Sequence, residues 1–377
     1  MTELGALRHL AAEIEALEQA GLLRKPNAPP PAGCLVLCSN DYLGYGTDPW
    51  PASSETTSGA GASRLVSGHH AEHALAEQTI AEWLGFEAAL LFSSGYAANV
   101  GAIAALARPG DVIVSDALNH ASIIDGCRLS GATVVVVPHR DADAAEAALE
   151  RARGARRRWL VTESYFSMDG DSPDLVRLRA ACDRWDAALF VDEAHAVGTL
   201  GPRGRGVSAR VGVRPDVLVG ALGKALGLQG AFVAGPMVLR TWLWNRARSF
   251  VFSTGISPTL AAAVRHRVIR VAADDEGRAR LERVTERLRA GLASIVGDAL
   301  LPSHGPILPC LVGAPEDALR VSARLRERGV LVQAIRPPTV PPGTSRLRVT
   351  AHARLTDAEL TRILYAFMET VMETWNP

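Results

Sequence analysis

From about residue 87 onward, short apolar runs alternate with stretches of helical periodicity. Apolar strands that alternate with helices are typical of a largely parallel sheet covered by helices on both faces. The last two runs are separated only by a short segment around residue 224, which leaves room for one antiparallel strand. The pattern therefore predicts an α/β fold with a mostly parallel seven-stranded sheet. The runs are Ala88–Phe92, Val112–Ser115, Thr133–Val137, Trp159–Thr162, Ala188–Val191, Val217–Val219 and Ala231–Ala234.

A different pattern begins after a long helical stretch, about Pro258–Ile295. Beyond it, further apolar runs alternate with helical segments, which predicts a smaller C-terminal α/β domain. We therefore expect an N-terminal helix and the segment that follows it in residues 1–45, a large domain in 46–275 and a small domain in 276–377. The small domain has runs at Ile307–Val312, Val330–Ala334 and Arg346–Thr350, with helices at Asp317–Glu327 and Thr356–Glu373.

Composition narrows the class of protein. Forty basic and forty acidic residues among 377 give no net charge, so electrostatics offers no argument for binding to nucleic acid or an anionic membrane. Acidic residues throughout the first 23 positions argue against a secretory signal, and no apolar run is long enough to span a membrane. Five cysteines without a C-x-x-C pair indicate reduced thiols. We expect a cytoplasmic protein, and its scattered histidines predict no metal site.

The lysines are few, and one has an unusual setting. The forty basic residues include only Lys25 and Lys224. Replacement of lysine by arginine over evolution explains the scarcity but not the positions of the two that remain. Lys25 lies in a polar turn, whereas Lys224 lies in an apolar, glycine-flanked segment, Ala221–Gly227. Because arginine cannot form a Schiff base, a lysine retained at position 224 indicates amine chemistry.

Polar residues follow two of the predicted strands at their carboxyl ends, where open α/β sheets bind ligands. The segment V-D-E-A-H places Asp192 and His195 at one such end. A buried aspartate opposite a pyridine nitrogen favours the protonated ring, which is the electron sink that carbanion chemistry requires. A helix cap followed by a surface histidine is the alternative. His120, in N-H-A-S, follows another strand and either stacks on a flat ring or has a purely structural role.

The segment L-F-S-S-G-Y-A-A-N, Leu91–Asn99, has the pattern of a strand, a turn of small residues and a helix. Backbone N–H groups at such a helix start attract anions, and the helix dipole adds to the attraction. Ser94, Gly95 and Tyr96 are therefore predicted to form a cup for a phosphate group. An ordinary turn with a serine cap is the alternative.

A proline-rich loop near the C-terminus, Arg336–Arg348, carries three arginines. Arginine can bind a carboxylate through two parallel hydrogen bonds, so this loop is a candidate for holding a substrate carboxylate. A solvated surface loop is the alternative, since the prolines by themselves indicate only rigidity.

The order of these features resembles that of fold-type-I pyridoxal-phosphate enzymes, and the motifs themselves resemble the α-oxoamine synthase family over nearly the whole chain. The resemblance implies an aspartate aminotransferase-like fold, in which the large domain binds pyridoxal 5'-phosphate. These enzymes condense an amino acid with an acyl thioester and release CO2. The matching motifs are Ser39–Gly44, Leu91–Asn99, Asn119–Ser122, Glu163–Asp171, Val191–His195, Gly204–Gly206, Leu222–Gly227 and Val251–Thr254.

The resemblance also implies residue roles around the cofactor. Lys224 forms the Schiff base and, once freed, removes the Cα proton, while His120 stacks on the ring and helps to set the reacting geometry. Thr254 reaches the phosphate from a neighbouring subunit, so we expect a homodimer with shared sites. The other contacts expected with the cofactor are Asp192 at the pyridine nitrogen, His195 and Ser167 at the ring oxygen, and Ser94, Gly95 and Tyr96 at the phosphate.

The resemblance also implies which residues contact the substrates. Asn40 and Arg348 would hold the amino-acid carboxylate, and Arg336 and Thr339 would line the acyl side. The segment Ala334–Arg348 resembles the biotin-pathway member, which joins L-alanine to a pimeloyl thioester on coenzyme A or acyl carrier protein. Members that use glycine with acetyl or succinyl thioesters are the first alternative. A non-catalytic cofactor-binding sensor is a remote one.

The chain departs from the family pattern at three places. Ala221 stands where the family usually has a hydroxyl residue that bonds the phosphate. The glycine-rich stretch reads G-A-G-A-S at Gly59–Ser63, and the stretch before it, from Gly44, is shorter and less helical than usual. The N-terminal arginine that meets the acyl substrate in relatives has no clear counterpart, and Arg24 is the candidate.

Overall fold

The structure, a computed structural model, describes residues 5–24, 29–49 and 57–375. Lys25 lies outside these ranges. The strands are β1 (Leu35–Val36), β2 (Ala88–Phe92), β3 (Val112–Asp116), β4 (Thr133–Val137), β5 (Arg158–Glu163), β6 (Ala187–Asp192), β7 (Val217–Ala221), β8 (Ala231–Gly235), β9 (Ile307–Gly313), β10 (Val330–Leu331), β11 (Gln333–Ile335) and β12 (Ser345–Thr350).

Helices connect most of these strands. They are α1 (His9–Gln19), α2 (Ala71–Leu84), α3 (Gly95–Leu106), α4 (Ala121–Ser130), α5 (Ala142–Arg151), α6 (Leu175–Arg184), α7 (Val207–Arg210), α8 (Met237–Arg246), α9 (Arg248–Val251), α10 (Pro258–Ala273), α11 (Asp275–Val296), α12 (Pro315–Glu327) and α13 (Asp357–Thr374). None of the helices in the described ranges combines the length and apolar character needed to cross a membrane.

The central sheet has seven strands in the order β2-β8-β7-β6-β5-β3-β4. Strands β3 to β7 run parallel to one another, and β8 runs antiparallel to both β2 and β7. This confirms the predicted sheet, including an antiparallel strand after the short segment around residue 224. Strands β5 and β6 end together, with Glu163 opposite Asp192. Their carboxylates are therefore brought to one edge of the sheet.

Both faces of this sheet are buried, as the continuous apolar runs require. Successive side chains point to opposite faces, so Leu189 packs in a cluster with residues of α5 and α6, whereas Phe190 packs with residues of α3 and α4. Burying one such side chain stabilises the fold by about 1.5–3 kcal/mol. The helices thus hold the strand ends rigidly, which matters because polar residues follow those ends.

A three-stranded antiparallel sheet, in the order β11-β12-β9, forms the C-terminal part, where α12 packs on all three strands and α13 packs on α11 and α12. Strand β1 pairs in parallel with β10, so the segment after α1 joins this part rather than the large sheet. Helix α1 forms as predicted, but none of its described residues is buried.

The long helical stretch predicted at Pro258–Ile295 is two helices rather than one. Helix α10 ends at Ala273, and the backbone of the next residue, Asp274, leaves the helical conformation at φ −89° and ψ 60°. The Asp274 carboxylate then caps α11 by accepting a hydrogen bond of 2.9 Å from the Gly277 N–H group. This junction lies next to the predicted boundary between residues 275 and 276, and the three-part division of the chain remains a proposal.

Candidate active site

A cleft opens where the parallel strands of the central sheet end, as expected for this class of fold. It has a volume of about 930 Å³, including space open to solvent. Four different connections after strands contribute to its wall, because the carboxyl ends of parallel strands meet at one edge. The predicted site residues that line it are Asn40, Ser94, Gly95, Tyr96, His120, Asp192, His195 and Lys224.

Lys224 lies in the tight connection between β7 and β8. The Gly227 N–H group donates to the Lys224 carbonyl at 2.8 Å, and Gly227 has a positive φ of 61°, which favours glycine. Burial lowers the pKa of Lys224 to about 8, although the carboxylates of Asp192 and Glu163 act in the opposite direction. A lowered pKa makes the neutral amine accessible near neutral pH, which is the form that attacks a carbonyl.

Asp192 is held in place by a residue that the sequence did not single out. Its Oδ2 accepts a hydrogen bond of 2.6 Å from Nδ2 of Asn99, and its Oδ1 accepts one of 2.8 Å from the Ala194 N–H group. Asn99 also donates to the Ser122 hydroxyl at 2.9 Å. Since Asn99 lies on α3, the helix that begins at the predicted phosphate cup also orients the carboxylate. Asn99 is the last residue of the motif Leu91–Asn99, and its place in that motif is the feature of the sequence that could have indicated its role.

His120 joins the cleft through both its backbone and its ring. Its N–H group donates to Oε1 of Glu163 at 2.7 Å, and its Nδ1 lies 2.7 Å from the Ser122 hydroxyl. Burial lowers the pKa of His120, so the ring is neutral at neutral pH. Burial beside Asp192 raises the pKa of the Glu163 carboxyl to about 8. Glu163 also went unassigned, although it ends β5 opposite Asp192.

His195 is paired with Tyr42, a third residue whose role the sequence did not reveal. The Tyr42 hydroxyl lies 2.7 Å from Nδ1 of His195, and both side chains are buried. Burial, with the nearby charges of Lys224 and Arg348, holds the pKa of His195 well below its usual value. The ring is therefore a neutral hydrogen-bonding group, and Tyr42 fixes its orientation.

The predicted phosphate cup has the geometry of a helix start that faces open space. The Ser94 hydroxyl caps α3 by accepting from the Ala97 N–H group at 3.1 Å, and the Tyr96 hydroxyl donates to Asp125 at 2.6 Å. A Cβ atom placed on Gly95 would meet no atom within 4 Å. Ala221 also lines the cleft and offers no hydroxyl there. The first N–H groups of α3 are thus available to an anion, with fewer hydroxyl donors than the family pattern implies.

Glu193 lies between Asp192 and His195 but turns away from the cleft. Its buried carboxylate accepts hydrogen bonds from the N–H groups of Val207 at 3.0 Å and Ser208 at 2.7 Å. Gly206 has a φ of 95°, and a Cβ atom there would lie 2.4 Å from Oε2 of Glu193. The motif Gly204–Gly206 is therefore explained by close packing behind the site.

Two residues expected at the cofactor lie beside the cleft lining. The Ser167 carbonyl accepts a hydrogen bond of 2.5 Å from Nε of Arg348. Thr254 pairs with Ser63 in an isolated antiparallel bridge and lines a separate small cavity with Ser93. A single chain therefore does not bring Thr254 to its own cleft, and its predicted contact with the phosphate depends on a second copy.

The substrate residues of the small domain also lie apart from the cleft. Arg336 and Thr339 line a second opening, together with the segment that follows α1. There Nη2 of Arg24 donates to the Thr339 hydroxyl at 3.2 Å, and Arg336 donates to the Gly21 carbonyl. Arg348 is buried behind the first cleft, where Nη1 donates to Thr350 at 3.1 Å. The acyl-side assignments remain predictions.

Comparison with known proteins gives consistent results. The family model described as aminotransferase class I and II matches residues 32–367. A relative from Anaeromyxobacter dehalogenans, named 8-amino-7-oxononanoate synthase, is 46% identical over 380 residues, covering 96% of this chain and 95% of the relative.

Solved structures agree on the fold. Sphingomonas wittichii serine palmitoyltransferase matches with a TM-score of 0.90 and 30% identity, covering 99% of both chains. A structure described as SPT with the PLP internal aldimine matches with a TM-score of 0.90 and 28% identity, again covering 99% of both chains.

Proposed function

The chain belongs to the class I and II aminotransferase family, among its α-oxoamine synthases, and we propose that it condenses L-alanine with a pimeloyl thioester, releasing CO2 and forming 8-amino-7-oxononanoate in biotin biosynthesis. The observation that carries the substrate assignment is 46% identity across 96% of the chain to a relative of that name. The cleft supports the reaction class, because it places an amine of lowered pKa beside a buried carboxylate.

Pyridoxal 5'-phosphate is the cofactor, and the donors in the cleft fit it. The N–H groups of Gly95 and Tyr96 would hold the phosphate, Asp192 would face the pyridine nitrogen, and His120 would cover a ring face. The buried Oδ1 of Asn99, which also lines the cleft, has no hydrogen-bond partner among the described residues. When bound, the cofactor supplies an electron sink for the negative charge that develops at the substrate Cα atom.

Lys224 is the residue that holds the transferred proton. Its Nζ atom would hold the cofactor, and the same atom would accept the Cα proton of the bound L-alanine. Because burial lowers its pKa, the neutral amine that can accept a proton is more accessible near neutral pH than that of an ordinary lysine. Borohydride reduction of the holoenzyme, followed by peptide mapping, should find the label on Lys224. A label confined to Lys25 contradicts this assignment.

Arg348 is proposed to bind the substrate carboxylate together with Asn40, which lines the cleft. Nη2 of Arg348 lies 3.5 Å from the Tyr42 hydroxyl, which itself contacts His195 in the cleft. The guanidinium is therefore close behind the wall, at the end where the ring oxygen is expected. A fixed carboxylate orients the Cα–H bond, and orientation of this kind is a large part of the protein's contribution to the rate.

The acyl substrate is proposed to enter by the second opening. Arg24 and Arg336 bring two guanidinium groups to it, and Arg24 contacts Thr339 directly. Two cations suit the free carboxylate of a pimeloyl chain, because charge-assisted hydrogen bonds are stronger than neutral ones. The thioester is carried by coenzyme A or by an acyl carrier protein, and both are included in the assay below.

We also propose a homodimer in which Thr254 completes the partner's phosphate site. Val66 and Phe252, which flank the Ser63–Thr254 bridge, are 80% and 73% exposed, and covering such apolar groups favours association. Light scattering should give a dimer. Mixing inactive Lys224→Ala subunits with inactive Thr254→Trp subunits should restore about a quarter of the activity, because each mixed dimer has one intact site. No restoration in proven mixed dimers contradicts shared sites.

The substrate assignment is tested by CO2 release. The holoenzyme is assayed with L-alanine, glycine and L-serine against pimeloyl, acetyl, succinyl and palmitoyl thioesters, with coenzyme A and acyl carrier protein as carriers. We expect the highest kcat/KM for L-alanine with a pimeloyl thioester. Serine is included because the serine palmitoyltransferase structures match the fold so closely. Preference for glycine or serine overturns the substrate assignment but leaves the reaction class intact.

A further inference from the structure

Two arginines of the small domain reach across to one loop of the large domain. Arg346 and Arg348 are alternate residues of β12, so their side chains point to the same face. Each residue is only 5% exposed. Both donate to the segment Ser167–Asp169, which follows β5, so this loop and β12 meet at a buried contact behind the cleft.

The two arginines contact this loop in different ways. Nε of Arg348 donates to the Ser167 carbonyl at 2.5 Å. Nη1 of Arg346 donates to Oδ1 of Asp169 at 2.5 Å, with the Met168 carbonyl at 3.5 Å. Asp169 is the one carboxylate that the described residues bring to Arg346, whose Nε atom is taken by the Thr344 carbonyl at 3.1 Å. A buried guanidinium depends strongly on such a partner.

We propose that Asp169, acting through Arg346, is a positioning residue that fixes the Arg348 guanidinium for the amino-acid carboxylate. The inference rests on the proposed role of Arg348. The Ser167 carbonyl that orients Arg348 lies two residues from Asp169, so the ion pair helps to set the position of this carbonyl relative to β12. If that pair is broken, the Ser167 carbonyl shifts locally relative to β12, and the hydrogen bond that sets the direction of Arg348 is weakened.

Other contacts keep the loop folded when Asp169 is changed. Asp171 accepts from Nη1 of Arg140 at 2.8 Å, and the His304 N–H group donates to the Gly170 carbonyl at 2.7 Å. The Tyr165 hydroxyl also donates to the His304 carbonyl at 2.5 Å. The loop is therefore anchored on both sides of Asp169, and loss of the ion pair should be a local change near Arg348.

The test compares two amines that differ only in the carboxylate. Binding of L-alanine and of ethylamine to the holoenzyme is followed by the change in cofactor absorbance. In Asp169→Asn we expect L-alanine to bind about tenfold more weakly, while ethylamine stays within about twofold of the wild type. Arg346→Lys should lose less than Arg346→Gln, because lysine keeps the charge. Asp169→Asn combined with Arg348→Gln should bind L-alanine no more weakly than Arg348→Gln alone.

Asp111→Asn is the matched control. Asp111 likewise pairs with an arginine, Arg156, at 2.6 Å, but it precedes β3 at the opposite end of the sheet. Asp111→Asn should leave the ratio of the affinities for L-alanine and ethylamine unchanged. Equal weakening of both amines in Asp169→Asn, or no weakening, overturns the inference. If Arg348→Gln itself shows no selective loss of L-alanine, the proposed role of Arg348 fails instead. If Asp169→Asn does not fold, the test is made with Arg346→Lys and Arg346→Gln. The ratio of the affinities for L-alanine and ethylamine is then compared between these two variants.

Discussion

The cofactor half and the substrate half of the site differ in how completely one chain assembles them. On the cofactor side, Lys224, Asp192 and His120 line one cleft at the edge of the central sheet. On the substrate side, Arg336 lines a different opening, and Arg348 lies behind the cleft wall. Parallel strands bring their carboxyl ends together automatically, whereas residues of the small domain reach the site only through contacts between the two parts of the chain.

The electrostatics of the two halves also differ. The cofactor half buries groups whose pKa values burial has displaced, with Lys224 lowered to about 8 and Glu163 raised to about 8. The substrate half instead contains arginines, whose guanidinium groups bind anionic groups of the substrates. Substitutions in the cofactor half are therefore expected mainly to lower kcat, and substitutions in the substrate half mainly to raise KM. Substitutions in each half can separate these effects.

The largest effect is expected on the cofactor side, from Asp192→Asn. Loss of the negative charge opposite the pyridine nitrogen weakens the electron sink, and removal of one such electrostatic contact typically costs about 10²–10³-fold in kcat. Steady-state CO2 release measures the loss. Asp111→Asn is the control, because Asp111 is a buried carboxylate that precedes β3 at the opposite end of the sheet. Equal losses in the two variants contradict the role of Asp192.

A smaller, separable effect is expected on the substrate side. Arg348→Gln should raise the KM for L-alanine about 10–100-fold, whereas Arg336→Gln should raise the KM for the thioester by a similar factor. Each variant removes a charged partner for a different carboxylate. Steady-state kinetics with one substrate varied at a time gives both constants. A variant that raises both KM values equally shows that the two openings do not serve separate substrates.

Ala221→Thr should raise the affinity for pyridoxal phosphate with little change in turnover. A hydroxyl bonded to a phosphate dianion contributes about 1.5–3 kcal/mol, so affinity for pyridoxal phosphate should rise by about one to two powers of ten. The phosphate is remote from the reacting Cα–H bond, and its contacts are alike in ground and transition states. Titration of the apoenzymes measures this. Equal or weaker binding means that other donors already replace the hydroxyl.

The smallest effect concerns His139, which links the end of β3 to the loop after β5. Burial alone lowers the pKa of His139, but hydrogen bonds with Asp116 and with Asp171 outweigh it and raise the pKa to about 9. The stability gained is fully present below pH 6.5 and is lost as pH rises through about 9. Urea midpoints should therefore fall over this range more in the wild type than in His139→Gln. The exposed His266, changed to Gln, should leave the pH dependence unaltered.

Much of the cofactor half was predictable from sequence because its residues follow strands that periodicity identifies. Asp192 ends the strand Ala187–Asp192, and Gly95 follows β2, so both residues lie in the cleft. Asn99, Glu163 and Tyr42 were not assigned, although each lies inside a recognised motif. Their roles depend on hydrogen bonds to residues 23 to 153 positions away, such as the contact of Tyr42 with His195, and local patterns carry no information on those partners.

The sequence by itself determined the fold class, the family, the cofactor and the candidate amine at Lys224, since these depend on local periodicity and ordered motifs. Only the tertiary structure showed that the stretch after Pro258 breaks at Asp274, that β1 joins the small domain, and that Asp169 and Arg346 meet behind the site. Such contacts arise from how packed units lie against each other. That arrangement is decided by the burial of side chains from distant segments, which no short pattern along the chain encodes.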